Sequence, residues 1–510
     1  MRKKIIALTL CIGIFLTGCT FVGDTTSTSS GAGQSSNSSQ GATAPTPTPK
    51  PAPASASVDD QTSYEKLFAN GPILAQNTDG LWGYIDSAGN YVVEPRFRDA
   101  CEFQENGLAA VQDSETGLWG YINTSGEYAI EAKYSQVSFN GFRNNGLAAV
   151  YEAGTNLSGY IDESGEYAFP PLSDSTVSDF SNGLAIVGPP GAVYYIDETG
   201  EQVYPETFNE AYHFSEDWAP VMYWGDYGYL DRSGEFYAFP DAQDVSRFQN
   251  GRAFVKLANG KWRMIDETLQ FVSDAEFDSI WSGTTSGGPF YRGKNTFAGE
   301  WDPNGSARCI VCIETIHEAN SSYSYTAYNY YVIDTDGNIV FPTDGKNYES
   351  ATWSGESQIV VREAETHDMG VIDAEGNWVI PLVDRNISSI AVDGIRLSEA
   401  GPEQNNKFID QEGNTVWEPA NPGISVVGRY RDILTVCITD EESPNLGMYS
   451  YVDHDGNPIT DLTFTMARDF SKDSSYARAA VDGLWGIIDG EGNWLIEPKF
   501  QSFADSWVVD

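Results

Sequence analysis

Basic residues and histidines are scarce in this chain of 510 residues. It has 29 lysines and arginines against 73 aspartates and glutamates, a net charge of −44 at pH 7, and four histidines. Nucleic acids and anionic lipid surfaces both attract basic protein surfaces, so this charge argues against nucleic-acid binding and against polybasic membrane attachment. Apolar residues make up 41% and aromatic residues 13% of the chain, which is enough for a folded core.

Long apolar runs are also missing. The run Ile5–Phe15 is too short for an ordinary membrane span but suits the core of a signal peptide. Basic residues precede it at Arg2–Lys4, and Leu16-Thr17-Gly18-Cys19 follows it. This order resembles the lipobox of bacterial lipoproteins, in which the cysteine is lipidated and becomes the new N-terminus. We therefore predict a lipoprotein signal peptide over 1–18, a lipid on Cys19 and an extracytoplasmic protein anchored to the cell membrane. The alternative is an ordinary secretory signal with a chance cysteine.

Large apolar residues almost disappear between Thr20 and Ser57, where Ser, Thr, Gly, Ala and Pro dominate. Such a segment cannot bury enough surface to offset the entropy lost on ordering. Prolines alternate with small residues from Pro45 to Pro53, which favours an extended backbone. The sequence therefore predicts a disordered tether over 19–60 that holds the folded part away from the membrane.

The rest of the chain is an array of repeats. One unit reads Asn106-Gly107-Leu108-Ala109-Ala110-Val111 and then Gly117-Leu118-Trp119-Gly120-Tyr121-Ile122-Asn123, and the last copy contains Gly483-Leu484-Trp485-Gly486-Ile487-Ile488-Asp489. An acidic or amide anchor, usually with glycine three residues later, recurs eleven times with a typical spacing of about 35 to 40 residues. The anchors are Asp86, Asn123, Asp162, Asp197, Asp231, Asp266, Asp334, Asp373, Asp410, Asp453 and Asp489.

Each unit fits a three-stranded β-meander. The Leu-Ala-x-Val segment and the alternating Trp-Gly-Tyr-Ile-Asp segment are typical of strands. The Asp and the later Gly fit a tight turn, and proline commonly ends the third strand. The Asp266 unit has Leu269 in place of the glycine, so we expect a different turn there. Since no segment shows a sustained 3.6-residue period, helices should be rare.

These residues resemble the WG-repeat family, which is named for its Trp-Gly pair. The pair itself is present at Trp82-Gly83, Trp119-Gly120 and Trp485-Gly486 and is degraded elsewhere. The resemblance extends from about Tyr64 to the C-terminus. It implies a repeat architecture but no particular activity, because the family has no established general activity.

The predicted fold is all-β, a tandem array of about eleven three-stranded meanders. Six copies occupy 61–275 and five occupy 332–510, separated by an aromatic-rich insertion or decayed repeat over 276–331. Units of this length are close in size to propeller blades, so we expect propeller-like lobes. An open, curved β-solenoid is the alternative.

A catalytic or metal-binding group is not evident. The four histidines lie in different repeats, and we expect isolated edge or surface positions. The segments at Asp334 and Asp453 look superficially like calcium loops, but their glycine is fourth where an EF-hand has it sixth. Cys309 and Cys312, three apart in a strand-like run, should be buried thiols on opposite faces. We predict no catalytic residues, no metal and no cofactor.

Two functions remain open. The first is a non-enzymatic binding or scaffold module for an extracellular protein or glycan. Its candidate contact residues are Tyr323, Tyr325 and Tyr328 in the insertion, because tyrosine is common in contact surfaces; alternatively, these aromatics fill a decayed repeat. The second is a cell-wall or glycan hydrolase that uses paired carboxylates in a groove. The sequence names no partner.

Overall fold

A computed structural model describes residues 62–280 except 143–144, and residues 300–503 with short gaps. The gaps are 303–304, 321–322, 355–356, 384–385, 393–394, 400–406, 411, 419–422, 431–432, 441, 454 and 472–474. The predicted signal peptide, Cys19 and the whole of the tether lie outside the described residues, as do residues 281–299 of the insertion.

The described chain is almost entirely β-structure, which confirms the predicted all-β fold. It has one short helix, α1 (Ser63–Lys66), which begins with a capping box between Thr62 and Glu65. The strands form a succession of antiparallel sheets that follow the chain order. No helix among the described residues is long and apolar enough to cross a membrane.

The strands are grouped into eleven units, here called blades 1 to 11. Blades 1 to 3 contain β1 (Ile73–Gln76), β2 (Trp82–Ile85), β3 (Tyr91–Ala100), β4 (Leu108–Asp113), β5 (Trp119–Asn123), β6 (Tyr128–Val137), β7 (Ala148–Glu152), β8 (Leu157–Ile161) and β9 (Leu172–Ser173). Blades 4 to 6 contain β10 (Thr176–Val177), β11 (Leu184–Gly188), β12 (Tyr194–Asp197), β13 (Glu210–Ala211), β14 (Trp218–Tyr223), β15 (Asp226–Asp231), β16 (Phe236–Ala238), β17 (Asp244–Val245), β18 (Arg252–Lys256) and β19 (Trp262–Asp266).

The remaining blades follow the same order. Blades 7 to 9 contain β20 (Glu300–Trp301), β21 (Cys309–Asn320), β22 (Tyr323–Ile333), β23 (Ile339–Phe341), β24 (Tyr348–Ser354), β25 (Gln358–Glu363), β26 (Met369–Ile372), β27 (Trp378–Val383), β28 (Asn386–Val392), β29 (Ile395–Glu399), β30 (Lys407–Ile409) and β31 (Thr415–Trp417). Blades 10 and 11 contain β32 (Ile424–Tyr430), β33 (Ile433–Ile438), β34 (Tyr449–Asp453), β35 (Met466–Ala467), β36 (Ala477–Val481), β37 (Leu484–Ile488) and β38 (Trp494–Phe500), and β39 (Ser502–Phe503) ends the described chain.

Every blade is built on a central hairpin, whose two strands carry the Leu-Ala-x-Val and Trp-Gly-Tyr-Ile-Asp positions. A strand that precedes the hairpin pairs with its first strand, and in most blades a strand that follows it pairs with its second strand. The sheets β10–β12, β17–β19 and β32–β34 have three strands only. In blades 1 and 2 one long strand serves both neighbours: β3 pairs with β2 through Val93 and with β4 through Ala100. This sharing joins successive blades through the backbone.

The Trp-Gly pair has a local structural reason. A Cβ atom on Gly120 would lie 2.6 Å from the Ile130 carbonyl oxygen, so only glycine lets the third strand pass this closely. The register between these strands shifts between Trp119 and Tyr121, which is a β-bulge. Trp119 itself is buried, whereas Trp485 is partly buried against the core.

The acidic anchors form the same turn in all eleven blades. One side-chain oxygen accepts hydrogen bonds from the backbone N–H groups two and four residues later; Asp86 Oδ1, for example, is 2.9 Å from the Ala88 nitrogen and 2.8 Å from the Asn90 nitrogen. Equivalent pairs of bonds occur at Asn123, Asp162, Asp197, Asp231, Asp266, Asp334, Asp373, Asp410, Asp453 and Asp489. The eleven-copy count is therefore confirmed.

The prediction of a different turn at Asp266 was wrong. Leu269 takes the left-handed conformation with φ of 63°, and its N–H still donates to the Asp266 carbonyl at 2.9 Å. The side chain of Leu269 packs against the core between blades 5 and 6. The two bonds to the Asp266 carboxylate and this contact hold a conformation that a non-glycine residue seldom adopts.

Buried tyrosines bond neighbouring blades together. In five blades the tyrosine of the Trp-Gly-Tyr segment, or its equivalent, donates its hydroxyl to a backbone carbonyl 17 or 18 residues later, at the start of the next blade. These pairs are Tyr84 to Cys101, Tyr160 to Ser178, Tyr195 to Tyr212, Tyr229 to Ser246 and Tyr451 to Arg468, at 2.6 to 2.8 Å. Each bond satisfies a hydroxyl that burial removes from water.

The core is divided into eleven clusters, one between each pair of neighbouring blades. Ten join blades that follow each other in sequence, and the eleventh joins blade 11 to blade 1. The expected division into six and five copies does not interrupt this series, because Met264 of blade 6 and Val311 of blade 7 share one cluster. The contacts therefore run in a single cycle.

Candidate functional site

The insertion contains the longest hairpin of the described chain, β21–β22. Residues are paired from Cys309↔Ile333 out to Asn320↔Tyr323. First strands of the other central hairpins have four to six residues, whereas β21 has 12 and β22 has 11. At a rise of about 3.3 Å per residue, the pairs beyond Ile313↔Asn329 extend the hairpin by roughly 20 Å past the normal blade length.

The second strand of the hairpin is long and uncharged, although β21 carries Glu314 and Glu318. Strand β22, Tyr323–Ile333, contains no charged residue, no proline and no glycine. Only Val332 and Ile333 of β22 pair with β23, so the outer side of the extended part has no strand partner among the described residues. Edge strands usually carry a charge or a proline that discourages pairing with another chain, and this part of β22 has neither.

The candidate residues Tyr323, Tyr325 and Tyr328 all lie in β22. Their backbones pair with Asn320, His317 and Glu314, so the three tyrosines belong to the part of the hairpin beyond the normal blade length. Their side chains lie outside what the structure describes. The prediction that they contact a partner remains a prediction.

The direction in which this hairpin extends follows from the turns. In each blade the acidic turn and the tip of the central hairpin lie at opposite ends of the hairpin. Hydrogen bonds connect one blade to the acidic turn of the next. Asn106 Nδ2 donates to Glu163 Oε1 at 3.0 Å, and Arg308 Nε donates to the Ala374 carbonyl at 3.0 Å. These bonds align the acidic turns along one side of the array. The hairpin tips, including that of β21–β22, therefore project from the other side.

A polar cleft of about 300 Å³ lies on the hairpin-tip side, at blade 3. Asp174 Oδ1 accepts a hydrogen bond from Asn156 Nδ2 at 2.8 Å, and Ser135 Oγ donates to the Tyr151 carbonyl at 3.2 Å. The Tyr151 hydroxyl accepts the N–H of Val177 at 3.1 Å, which fixes the aromatic ring. Residues that line the cleft include Ser135, Tyr151, Glu152, Asn156, Asp174 and Ser175. Sequence reasoning missed this cleft.

The histidines do not form a site in the described part of the chain. His213 is half-buried in blade 5, and exposed His367 places Nδ1 2.8 Å from Glu349 Oε1. The side chain of His317 and all of His454 lie outside the described residues. Within those residues, no group of three or more histidine, cysteine, aspartate or glutamate side chains is arranged to hold a metal ion.

The cysteines have the environment of packing residues. Cys309 and Cys312 are buried, as predicted, and Cys101 and Cys437 are partly buried. Burial, assisted by Asp99 and Glu102, raises the pKa of Cys101 to about 12. A thiol with such a pKa stays protonated at neutral pH and is a poor nucleophile.

Comparison with known families agrees with the repeated blade. The family model described as "WG containing repeat" matches seven stretches, residues 82–114, 119–154, 159–188, 195–223, 227–262, 449–485 and 485–506. Seven stretches of the chain therefore carry this repeat. The matches cover blades 1 to 6 and 10 to 11 in part, whereas blades 7 to 9 keep the acidic turn without matching the family model. No curated protein sequence matches the chain.

Likeness to solved structures is distant. BamB from Moraxella catarrhalis is 13% identical, with a TM-score of 0.24 over 62% of this chain and 96% of that one. Porphyromonas gingivalis dipeptidyl peptidase 4 is 10% identical, with a TM-score of 0.33 over 85% and 60% of the two chains. The tricorn protease is 10% identical, with a TM-score of 0.25 over 83% of this chain, which spans 47% of that protein. At these TM-scores the likenesses carry no information on function.

Proposed function

We propose that this WG-repeat protein is a lipid-anchored, extracytoplasmic binding module. The single observation that carries the proposal is the hairpin β21–β22, which extends past the normal blade length and presents an uncharged strand. A repeat array provides a rigid base for such a projection, and loops that depart from a repeat are frequent binding elements. The partner class that fits an extended, tyrosine-rich strand is an extracellular protein.

The anchoring part of the proposal depends on the N-terminal sequence. An 11-residue apolar core followed by Leu16-Thr17-Gly18-Cys19 supports lipidation of Cys19. The Cys19→Ala variant should remain an unprocessed precursor or be released from the membrane fraction. Processing and membrane retention identical to the parent would contradict the proposal.

The binding part is tested by shortening the hairpin in the full-length protein. Replacing residues 315–327 by Asn-Gly leaves the pair Glu314↔Tyr328 to close a two-residue turn. Surface cross-linking on intact cells, followed by mass spectrometry, should recover a reproducible set of partner proteins with the parent and lose it with the shortened variant. Recovery of the same set after shortening would exclude the hairpin as the contact.

A triple substitution refines this test. Changing Tyr323, Tyr325 and Tyr328 to Ser should reduce partner recovery and leave the melting temperature nearly unchanged, because these positions lie beyond the blade. The matched control changes Ser324 and Thr326 of the same strand to Ala and should retain binding. A large loss of stability in the triple variant would instead favour tyrosines that fill the core.

A hydrolase is the second candidate, and one observation favours it. Glu152 and Asp174 line the same cleft beside Tyr151, and paired carboxylates in a groove are what glycoside hydrolysis requires. Incubation with oligosaccharides and chromatography of the products tests this candidate. Product formation that disappears in Glu152→Gln would support it, and absence of turnover with a broad set of glycans would oppose it.

A further inference from the structure

The polar cleft lies in blade 3, where an aromatic pairing found in other blades is missing. In blades 1, 2 and 11 the tryptophan of the Trp-Gly pair faces a second aromatic residue on the neighbouring strand, as in Trp82↔Phe97, Trp119↔Tyr134 and Trp485↔Phe500. Phe97, Tyr134 and Phe500 are at most 1% exposed.

Blade 3 has neither aromatic, because Ser158 pairs with Leu172 at these positions. The Ser158 hydroxyl donates to the Ser175 carbonyl at 2.7 Å. Leucine is smaller than the phenylalanine or tyrosine of blades 1, 2 and 11, and the cleft lies against Asp174 and Ser175, which directly follow β9.

The backbone of the cleft is also specialised. Asp174 has φ of 50°, a left-handed conformation that is unfavourable for residues other than glycine. Its N–H donates to the Asn156 carbonyl at 2.8 Å, and its carboxylate accepts from the Asn156 side chain. These two bonds hold the carboxylate at the cleft wall. Strained backbone that the surrounding bonds over-determine is frequent at binding sites.

The groups around the cleft define a class of ligand. Hydroxyl, amide and carboxylate groups from Ser135, Asn156, Ser175, Glu152 and Asp174 can donate to and accept from vicinal sugar hydroxyls. The ring of Tyr151 supplies an apolar surface. Two carboxylates and no basic residue line the cleft, so an anionic ligand would be repelled.

We propose that this cleft binds a short neutral glycan of two or three sugar units. The inference deepens the proposed binding function, since it names a glycan as a second partner, but it uses blade 3 and does not involve the β21–β22 hairpin. The volume of about 300 Å³ is at the lower end of the range for small-molecule sites. Binding is expected to be weak, because the cleft is open and polar.

The test is titration of the full-length protein with defined trisaccharides. The probes are cellotriose and the N-acetylglucosamine trimer as neutral glycans, and the galacturonic acid trimer as the anionic control. Isothermal titration calorimetry and ligand-observed NMR should detect binding of at least one neutral trimer and no binding of the anionic trimer. No neutral binding at millimolar concentration, or equal binding of the anionic trimer, would overturn the proposal.

Variants locate the binding. Glu152→Gln and Asn156→Ala should each weaken binding of the neutral trimer about tenfold. Glu152→Gln removes a charged hydrogen-bond acceptor, and Asn156→Ala removes an amide. Glu115→Gln, an exposed glutamate at the tip of the neighbouring hairpin, is the matched control and should bind like the parent. Unchanged affinity in both cleft variants would overturn the proposal even if the trimer binds. The shortened hairpin variant should retain glycan binding, so failure of this inference is distinguishable from failure of the hairpin proposal.

Discussion

Ala75 of the first strand pairs with Phe503 of the last strand, about 430 residues apart in sequence. Phe503 is 4% exposed and packs in the cluster that joins blade 11 to blade 1. We call this contact between blades 11 and 1 the seam. Helix α1 bridges it: the N–H of Tyr64 donates to Ser475 Oγ at 3.1 Å, and the Tyr64 hydroxyl donates to the Ser87 carbonyl at 2.6 Å. The two ends of the repeat array therefore stabilise each other.

The first prediction concerns this seam. Phe503→Ala should lower the free energy of unfolding by about 3 kcal/mol, because it empties a buried aromatic position where no covalent connection holds the blades together. Chemical denaturation of the full-length protein measures the change. Val92→Ala, at a position that is 46% exposed, is the control and should cost less than about 1 kcal/mol. Equal stability of parent and Phe503→Ala would show that the seam is not closed in solution.

The second prediction compares two equivalent tyrosines. Tyr160 and Tyr121 are each 1% exposed, but the Tyr160 hydroxyl donates to the Ser178 carbonyl at 2.6 Å, whereas the Tyr121 hydroxyl has no hydrogen-bond partner within the described structure. Tyr160→Phe should cost about 1 to 2 kcal/mol, and Tyr121→Phe should be neutral or stabilising, since it removes a buried polar atom. Thermal melting of the two variants measures the difference. A larger loss of stability in Tyr121→Phe than in Tyr160→Phe would contradict this prediction.

The third prediction uses an amide that the chain already contains. Asn123 makes the same two backbone bonds as Asp162, so Asp162→Asn should cost less stability at pH 7 than Asp162→Ala, which should cost about 1 kcal/mol. The Ser164 hydroxyl and nearby N–H groups hold the pKa of Asp162 below its usual value. Its charge therefore stabilises the fold above about pH 4, and this contribution is lost as the pH falls through the lowered folded-state pKa.

The measurement for this turn is a series of denaturation curves between pH 2 and pH 7. Asp162→Asn should lose less stability than the parent over the acidic part of the series, because an amide does not titrate there. Nine other blades carry an aspartate at the equivalent turn, so the difference will be a fraction of the total acid sensitivity. An identical pH dependence in parent and variant would show that ionised Asp162 does not contribute to stability.

The fourth prediction addresses alkaline pH. Burial, followed by the charge of Asp86, raises the pKa of Tyr64 to about 12, and burial raises the pKa of Tyr91 to about 12. A raised pKa in the folded state means that the neutral form is preferred there, so the contribution of these two tyrosines to stability should be constant below about pH 10 and fall between about pH 10 and 12. Tyr91→Phe should fall less steeply over this window. Denaturant midpoints at pH 8, 10 and 11.5 measure the effect, and parallel curves for both proteins would refute it.

The fifth prediction concerns the turn of blade 5. Trp224 is 85% exposed and has φ of 53° in a two-residue turn with Gly225. Asparagine tolerates this conformation better than tryptophan and is favoured in such turns. Trp224→Asn should therefore stabilise the protein by about 1 kcal/mol, whereas Trp224→Val should destabilise it, because a β-branched residue is unfavourable at positive φ. Calorimetric melting of both variants measures whether the melting temperature rises for Trp224→Asn and falls for Trp224→Val, and the opposite order would contradict the prediction.

The local structure of each blade was determined by short stretches of sequence. The aspartate of each acidic turn binds backbone groups only two and four residues away, so the turn could be predicted from the spacing alone. The same locality explains why Leu269 was misjudged. A glycine is the usual solution for positive φ, but the bonds to Asp266 and the core contact of Leu269 are enough to hold the conformation, and packing cannot be read from the turn motif.

Closure of the array and the cleft of blade 3 were decided only by tertiary structure. The pairing of Ala75 with Phe503 depends on the small rotation that each blade adds to the next, and no local pattern encodes the sum of eleven such rotations. The cleft at Asp174 lies beside the pair Ser158↔Leu172, which lacks the two aromatics that blades 1, 2 and 11 carry at these positions. The sequence shows each substitution, but only the folded blade shows that the two positions face each other.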